Sequence, residues 1–294
     1  MAGTVLKTRI LLTLAGLGLL FGAAAQAGVV DSESRQNPPE FFANAANPRP
    51  EAFAGSGSLY CGISGIDVTA QVAVEEDALI TAAHFFFDPA TTRLRSGLEG
   101  CFWTPLFGVL AGQRIKLRID TLRIFASDAT GAGLRFEYPR DLQQDLAMVR
   151  LEFPRNIVLR TAPYALDAQF SINPESGFFM FSAVDGGTKT NHDYSPALQT
   201  CSTRDFDTVW SFSGNLPMLY TDCDVENPGP SGAALLRRNG DHLVIRGILS
   251  GYYGIVQNRM PYLGPYSKLE NSAVFIGISA KAQKWIANYI STIH

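Results

Sequence analysis

Short apolar runs separated by turn-forming residues dominate most of the chain. Hydrophobic and polar side chains alternate with a period of two in residues 68–74 and in residues 114–124, where Ile115, Leu117 and Ile119 share one face. Further short apolar runs lie at residues 79–83, 146–153, 177–183, 233–236, 243–250 and 273–278. Strands of this length, divided by frequent glycine, proline and asparagine, predict an all-β sandwich or barrel.

One segment near the C-terminus has the periodicity of a helix. Large apolar side chains in residues 280–292 recur on one helical face; these are Trp285, Ile286, Tyr289 and Ile290. Prolines near residues 154–166 interrupt two β-rich stretches. We therefore predict a division into residues 58–160 and residues 161–294, with an α-helix closing the second part.

The N-terminal residues have the pattern of an export signal. A basic start with Lys7 and Arg9 is followed by the apolar residues 10–25 and the small-x-small pattern of residues 25–27. The apolar core of about 16 residues is shorter than the roughly 20 that a bilayer span requires. A signal peptide over residues 1–27 is therefore favoured over an uncleaved membrane anchor, and we expect a secreted or periplasmic protein with no anchor after cleavage.

Composition narrows the class of partner. Charged residues make up 17 % of the chain, below the usual share of about 25 %, and the formal net charge is -3. Loss of residues 1–27 removes two positive charges and no negative one, which leaves a net charge of -5. Since a nucleic-acid binder presents a basic surface, nucleic acid is not expected as a partner.

Residues 28–57 differ in composition from the apolar runs that follow. They contain four prolines together with several asparagine, serine and glycine residues. This composition predicts an irregular lead-in, or a short propeptide, rather than a packed element.

The chain has four cysteines, Cys61, Cys101, Cys201 and Cys223. An even number in an exported chain predicts disulfides, and the absence of a C-x-x-C spacing disfavours a zinc ribbon or a redox motif. Three pairings are possible, with four free thiols as the alternative. Sequential pairing, Cys61–Cys101 and Cys201–Cys223, keeps one bridge in each half of the chain.

Three segments hold the candidate chemistry. His84 follows an apolar run where a buried strand ends, Asp145 heads an apolar strand, and Ser231 lies within a Gly-x-Ser-Gly sequence that leads into another apolar run. Glycines on both sides of a serine allow a tight turn whose N–H groups can meet a developing oxyanion. Taken singly, each has an ordinary structural alternative: a buried histidine, a strand-capping aspartate and a serine in a Pro-Gly turn.

Together these segments resemble the trypsin-like serine proteases, in which the order is also His, Asp, Ser. Three segments are similar to the three motifs of that family: TAAH ending at His84, DLAMV beginning at Asp145, and PGPSG around Ser231. Residues 244–251 are similar to its cleft-lining strand, and TDCD at residues 221–224 resembles the exported bacterial branch that includes glutamyl endopeptidases. The resemblance covers roughly residues 55–290.

The resemblance implies two packed antiparallel β-barrels of the chymotrypsin type with a C-terminal α-helix. It also implies an exported, monomeric serine endopeptidase that hydrolyses polypeptides through an acyl-enzyme, without cofactor or metal. His84 would act as general base and then acid, Asp145 would orient it, and Ser231 would attack the carbonyl. The amides of Gly229 and Ser231 would form the oxyanion hole.

The resemblance further assigns the substrate cleft and the surroundings of the triad. Ser250, Gly251 and Tyr252 would line the cleft, and Ser250 would support Asp145, with an ordinary strand serine as the alternative. Sequential disulfides would brace the segments that hold the base and precede the nucleophile.

Several positions depart from the family pattern. Pro230 stands where trypsins have the aspartate that pairs with the freed N-terminus, so activation of that kind is not expected. Leu249 stands where glutamyl endopeptidases use a histidine, so glutamate specificity is not predicted. Residues 224–228 are one residue longer than in the exported bacterial relatives, so the pocket floor is not carried over from them position by position. Asp224 or Glu226 could receive a basic side chain or be solvated loop charges. A catalytically silent protein of this fold, acting as a binding module, is the alternative function.

Overall fold

The computed structural model describes residues 28–30, 34–62, 66–125, 127, 129–153, 163–169, 173–185, 195–207, 216–225, 230–254 and 262–293. The predicted signal peptide at residues 1–27, Glu226, Gly229 and most of the predicted division at residues 154–166 lie outside these ranges.

Strands make up most of the secondary structure. In chain order they are β1 (Gly28–Val30), β2 (Ser56–Cys61), β3 (Ile66–Val72), β4 (Ala78–Thr81), β5 (Cys101–Pro105), β6 (Ile115–Ile124), β7 (Ala147–Glu152), β8 (Ala165–Leu166), β9 (Glu175–Asp185), β10 (Ser195–Asp207), β11 (Met218–Thr221), β12 (Ala234–Asn239), β13 (His242–Gly254), β14 (Tyr262–Gly264) and β15 (Asn271–Gly277). The α-helices are α1 (Pro38–Ala43) and α2 (Ala280–Thr292).

The first barrel closes through antiparallel pairs in the order β2-β3-β4-β7-β6-β5. Its interior is filled by apolar residues that alternate along the strands, and the fully buried Trp103 is one of them. In β6, Ile115 and Leu117 are buried as the alternation predicts, whereas Ile119 is only partly buried. The cause is a register shift between Arg118 and Arg123, after which the buried face resumes.

The second barrel uses β12-β9-β10-β11-β15-β13 and closes through the pairing of β12 with β13. The two-residue strand β8 adds to β13 in parallel. The fold predicted from the sequence, two packed antiparallel β-barrels with a C-terminal α-helix, is confirmed.

Helix α2 follows the last strand of the second barrel and packs against both barrels. Its N-cap, Ser279, accepts a hydrogen bond from the amide of Ala282, and its apolar face is buried as the periodicity predicts. The buried Arg150 of β7 donates to the carbonyl oxygens of Ile290 and Ile293, which ties the end of the helix to the first barrel. No helix within the described ranges has the length and apolar character needed to cross a membrane.

The N-terminal segment differs from the irregular lead-in expected at residues 28–57. Asn37 caps α1 through its side chain, and Pro38 and Pro50 occupy the first turns of a helix and of a 3-10 helix. Proline is favoured at the first helical position, so these residues begin elements instead of breaking them. Phe41 and Phe53 are consequently buried in the core of the molecule. Removal of this segment as a propeptide stays a prediction.

Both disulfides of the sequential pairing are present. Cys61–Cys101 joins the end of β2 to the start of β5, and Cys201–Cys223 joins β10 to the residues that follow β11. The sequential alternative is therefore confirmed.

Candidate active site

His84 lies just beyond a buried strand. Every residue of β4 is buried, and the chain then enters a 3-10 turn, Ala83–Phe86, that contains the histidine. Phe85 and Phe86 anchor this turn in the first barrel, while the His84 side chain stays 23 % exposed. The local sequence thus fixes the backbone and leaves the imidazole at the surface between the barrels.

Asp145 faces His84 with a fully buried carboxylate. Its Oδ1 accepts a hydrogen bond from the backbone N–H of His84 at 2.7 Å, and its Oδ2 lies 2.7 Å from His84 Nδ1. The pairing of β4 with β7 brings the two together, since Thr81 lies opposite Ala147. A carboxylate acceptor places the proton on Nδ1 and leaves Nε2 free to accept.

Ser250 approaches the same carboxylate from the second barrel. Its hydroxyl donates to Asp145 Oδ2, and Ser250 is itself buried within β13. Asp145 therefore receives hydrogen bonds from both barrels.

Ser231 lies in a short turn held between the barrels. Its carbonyl oxygen accepts from the Thr69 amide of β3 at 2.9 Å, and the next amide, Gly232, donates to the Leu249 carbonyl of β13 at 2.8 Å. The turn itself closes through a 2.9 Å hydrogen bond from the Ala233 amide to the Pro230 carbonyl. These contacts use the backbone, so the partly exposed Ser231 side chain is not needed to hold the turn.

Gly232 is required by this arrangement for two reasons. Its φ is +80°, a region that residues with a side chain rarely adopt. A Cβ atom there would also lie 2.2 Å from the Thr69 carbonyl oxygen and 2.2 Å from Thr81 Oγ1. Since Thr81 is the last residue of β4, the serine turn packs directly against the strand that leads to His84.

We expect Gly232→Ala to lower the free energy of unfolding by about 3 kcal/mol or more, because backbone strain and a clash with backbone add together. Gly240→Ala is the matched control, with a φ of +60° and open space around the added Cβ, and should cost only about 1 kcal/mol of strain. Urea unfolding measures both. Equal losses in the two variants would contradict the packing argument.

Gly251 and Tyr252 continue β13 beyond Ser250. They pair with Val274 and Ala273 of β15, and the Tyr252 hydroxyl donates to Asn271 Oδ1. Of the residues predicted for the site, His84, Asp145 and Ser250 are thus in direct contact, Ser231 lies in the turn packed on β3 and β4, and Gly251 and Tyr252 extend the same strand.

Asp224 is fully buried, so the alternative of a solvated loop charge is wrong for this residue. Its Oδ2 accepts from both the amide and the hydroxyl of Ser34, at 2.6 and 2.5 Å. Its backbone is also bound to the Gln199 side chain on both sides, at 2.7 and 2.8 Å. The composition of residues 28–57 gave no indication that Ser34 binds Asp224.

Tyr138 is a neighbour of the site that sequence reasoning missed. Its ring centroid lies 5.1 Å from that of His84, although no motif marks it in a polar stretch of the chain.

Within the described ranges, no three His, Cys, Asp or Glu side chains are grouped as metal ligands would be.

Comparisons by sequence find no relative: no protein-family model matches the chain, and no curated protein matches it. Comparison by structure finds proteases. A Glu endopeptidase solved in complex with MPD superposes with a TM-score of 0.60 at 14 % identity, over 90 % of this chain and 100 % of that chain.

Two further solved structures have the same fold. A thermostable serine protease, AL20, from an extremophilic microorganism gives a TM-score of 0.50 at 15 % identity, covering 83 % of this chain and 100 % of its own. The protease Anisep from Arthrobacter nicotinovorans gives 0.51 at 11 % identity, covering 81 % and 96 %. The likeness establishes the chymotrypsin-type fold of serine proteases for this chain.

Proposed function

We propose that the protein is an exported serine endopeptidase in which His84, Asp145 and Ser231 form the catalytic triad. The observation that carries this proposal is the pair of hydrogen bonds from His84 to the buried Asp145 carboxylate. The packing of the Ser231 turn on the strand that leads to His84 supports it. The fold shared with serine proteases supports a polypeptide as the substrate.

The reaction proceeds in two halves. His84 Nε2 takes the proton of Ser231 Oγ as that oxygen bonds to the peptide carbonyl carbon. The C–N bond then breaks, His84 delivers the same proton to the leaving nitrogen, and an ester with Ser231 remains. Water hydrolyses the ester with His84 again accepting and returning a proton, which regenerates the serine.

Asp145 supports both halves without changing its own protonation. It holds the imidazole by Nδ1 and by the adjacent backbone amide, and it stabilises the imidazolium that forms in each half. Ser250 supplies a further donor to the same carboxylate, which fixes its orientation.

Backbone amides would stabilise the oxyanion. The amides of Gly229 and Ser231 are assigned this role, whereas Pro230 between them has no N–H to contribute. Gly229 lies outside the described residues, so its part rests on the motif.

Export and selectivity complete the proposal. The signal pattern at residues 1–27 together with two disulfides supports a secreted or periplasmic enzyme. That the enzyme acts as a monomer is part of the proposal. Asp224 does not serve as the receptor of a basic side chain, because Ser34 occupies its buried Oδ2. The buried Leu249 likewise offers no partner to an acidic side chain.

Adduct mapping tests the proposal. The folded, exported protein is incubated with a fluorophosphonate probe and digested, and the modified peptide is identified by mass spectrometry. We expect one adduct, on Ser231, that is lost when the protein is unfolded before labelling. An unlabelled protein that also fails to cleave peptides would favour the silent binding module instead.

A further inference from the structure

Tyr138 covers one side of the His84 ring. The two rings are inclined by 47° with centroids 5.1 Å apart, and Tyr138 is still 41 % exposed. A large aromatic side chain that is half in solvent and packed on the proposed base borders the space where a substrate must lie. It is one of four large hydrophobic residues that stand out as exposed among the described residues.

The other end of Tyr138 reaches the second barrel. A Cβ atom built on Gly251 would lie 2.3 Å from the Tyr138 hydroxyl, so that hydroxyl sits directly over the Gly251 backbone. Desolvation, followed by the nearby Asp145 carboxylate, raises the pKa of Tyr138. A phenol keeps its proton at neutral pH even at its ordinary pKa of about 10, so Tyr138 is uncharged. Its ring spans the space from His84 to β13.

The strand beneath Tyr138 has an edge suited to a peptide. β12 pairs with β13 only as far as Ile248, whereas β15 stays paired with β13 as far as Gly254. Leu249 is still bound on that side to Gly232 and Ala233 of the serine turn, at 2.8 Å each. Beyond Leu249 no strand of the described ranges pairs with that edge of β13, so an extended peptide can add to the sheet there through backbone hydrogen bonds. In such a strand successive residues are roughly 3.4 Å apart.

We propose that Tyr138 is a specificity-determining residue. It makes the enzyme prefer substrates with glycine or alanine immediately before the residue whose carbonyl carbon Ser231 attacks. This inference rests on the proposed function. When the cleaved carbonyl lies between Ser231 and His84, the preceding residue lies one step further along β13, beside Gly251. That space is the one between His84 and Gly251 that Tyr138 fills, so a branched or aromatic side chain there collides with the ring.

A matched peptide series tests the proposal. The substrates differ only at the position before the cleaved residue, which is Gly, Ala, Val, Leu or Phe, and kcat/KM is measured for each. For the wild type we expect Gly and Ala to exceed Leu and Phe by about tenfold or more, within the range by which a pocket discriminates small differences in side-chain size. Tyr138→Ala should bring the ratio to within about twofold, with Tyr138→Val as an intermediate.

Two further variants test whether the preference for a small residue depends on the aromatic ring of Tyr138. Tyr138→Phe keeps the ring and should keep the preference. Tyr60→Ala removes another partly exposed tyrosine of the first barrel, one that packs on Phe102, and should leave the ratio at its wild-type value.

An aliquot of each sample is titrated with the fluorophosphonate probe, and the untreated remainder is assayed, so that kcat/KM refers to folded, reactive protein. A wild type that is labelled but shows no preference overturns the role of Tyr138, and so does an unchanged ratio in both Tyr138→Ala and Tyr138→Val. A wild type that is neither labelled nor active overturns the proposed peptidase function, and this inference with it.

Discussion

Ser231→Ala is expected to lower kcat for peptide hydrolysis about a millionfold, the scale of loss seen when the nucleophile of such a triad is removed. The remaining rate should stay above that in water, because substrate binding and the oxyanion hole do not depend on the hydroxyl. The fold should be kept, since the turn is held by its backbone contacts to Thr69 and Leu249. Steady-state kinetics and fluorophosphonate labelling measure the loss, and thermal unfolding measures the retained stability.

Ser291→Ala is the matched control for this substitution. Ser291 is an exposed serine of α2 whose hydroxyl donates to the Asn288 carbonyl at 3.0 Å. The same change of side chain there should leave kcat and labelling at their wild-type values. A Ser231→Ala protein that kept more than about one thousandth of the wild-type kcat would show that another group is the nucleophile.

The sequence predicted the features that depend on local pattern. Alternation in β6, the helical face of α2 and the apolar residues of β4 each follow from side chains a few positions apart. The positions of His84 and Asp145 could also be predicted from the sequence, because each residue adjoins a buried strand whose ends the periodicity locates.

Features that depend on contacts between distant residues could not be predicted. The role of Tyr138 arises because a loop of the first barrel meets Gly251 of the second, and neither residue carries a local signal. The buried Asp224 likewise accepts a hydrogen bond from Ser34, which is 190 residues away in the chain.

The N-terminal segment was misjudged for a different reason. Proline is frequent both in loops and at the first position of helices, and composition does not distinguish the two. Pro38 and Pro50 take the helical position, and the aromatic side chains that follow them enter the core. A phenylalanine three residues after each proline was the only sign that these segments pack.

The buried Asp145 carboxylate gives the second large prediction. It accepts three hydrogen bonds, from the His84 amide, from the His84 ring and from the Ser250 hydroxyl. A carboxylate has two acceptor oxygens, whereas an asparagine side chain has one oxygen and one NH₂ group, which only donates. In Asp145→Asn at least one of the three donors therefore faces another donor.

We expect Asp145→Asn to lower kcat/KM about ten-thousandfold, because the imidazole is then held in the tautomer that cannot accept the serine proton. Asp141→Asn is the control: it removes the same charge four residues earlier, from a carboxylate that pairs with Arg140, and should change kcat/KM by less than about twofold. Kinetics and the rate of phosphonylation of Ser231 measure both variants. A loss of less than about tenfold in Asp145→Asn, with the fold intact, would mean that Asp145 only supports the structure. Both substitutions remove one negative charge, but only Asp145 contacts His84. A larger loss of kcat/KM in Asp145→Asn than in Asp141→Asn therefore reflects the orientation of His84 and not a general electrostatic effect.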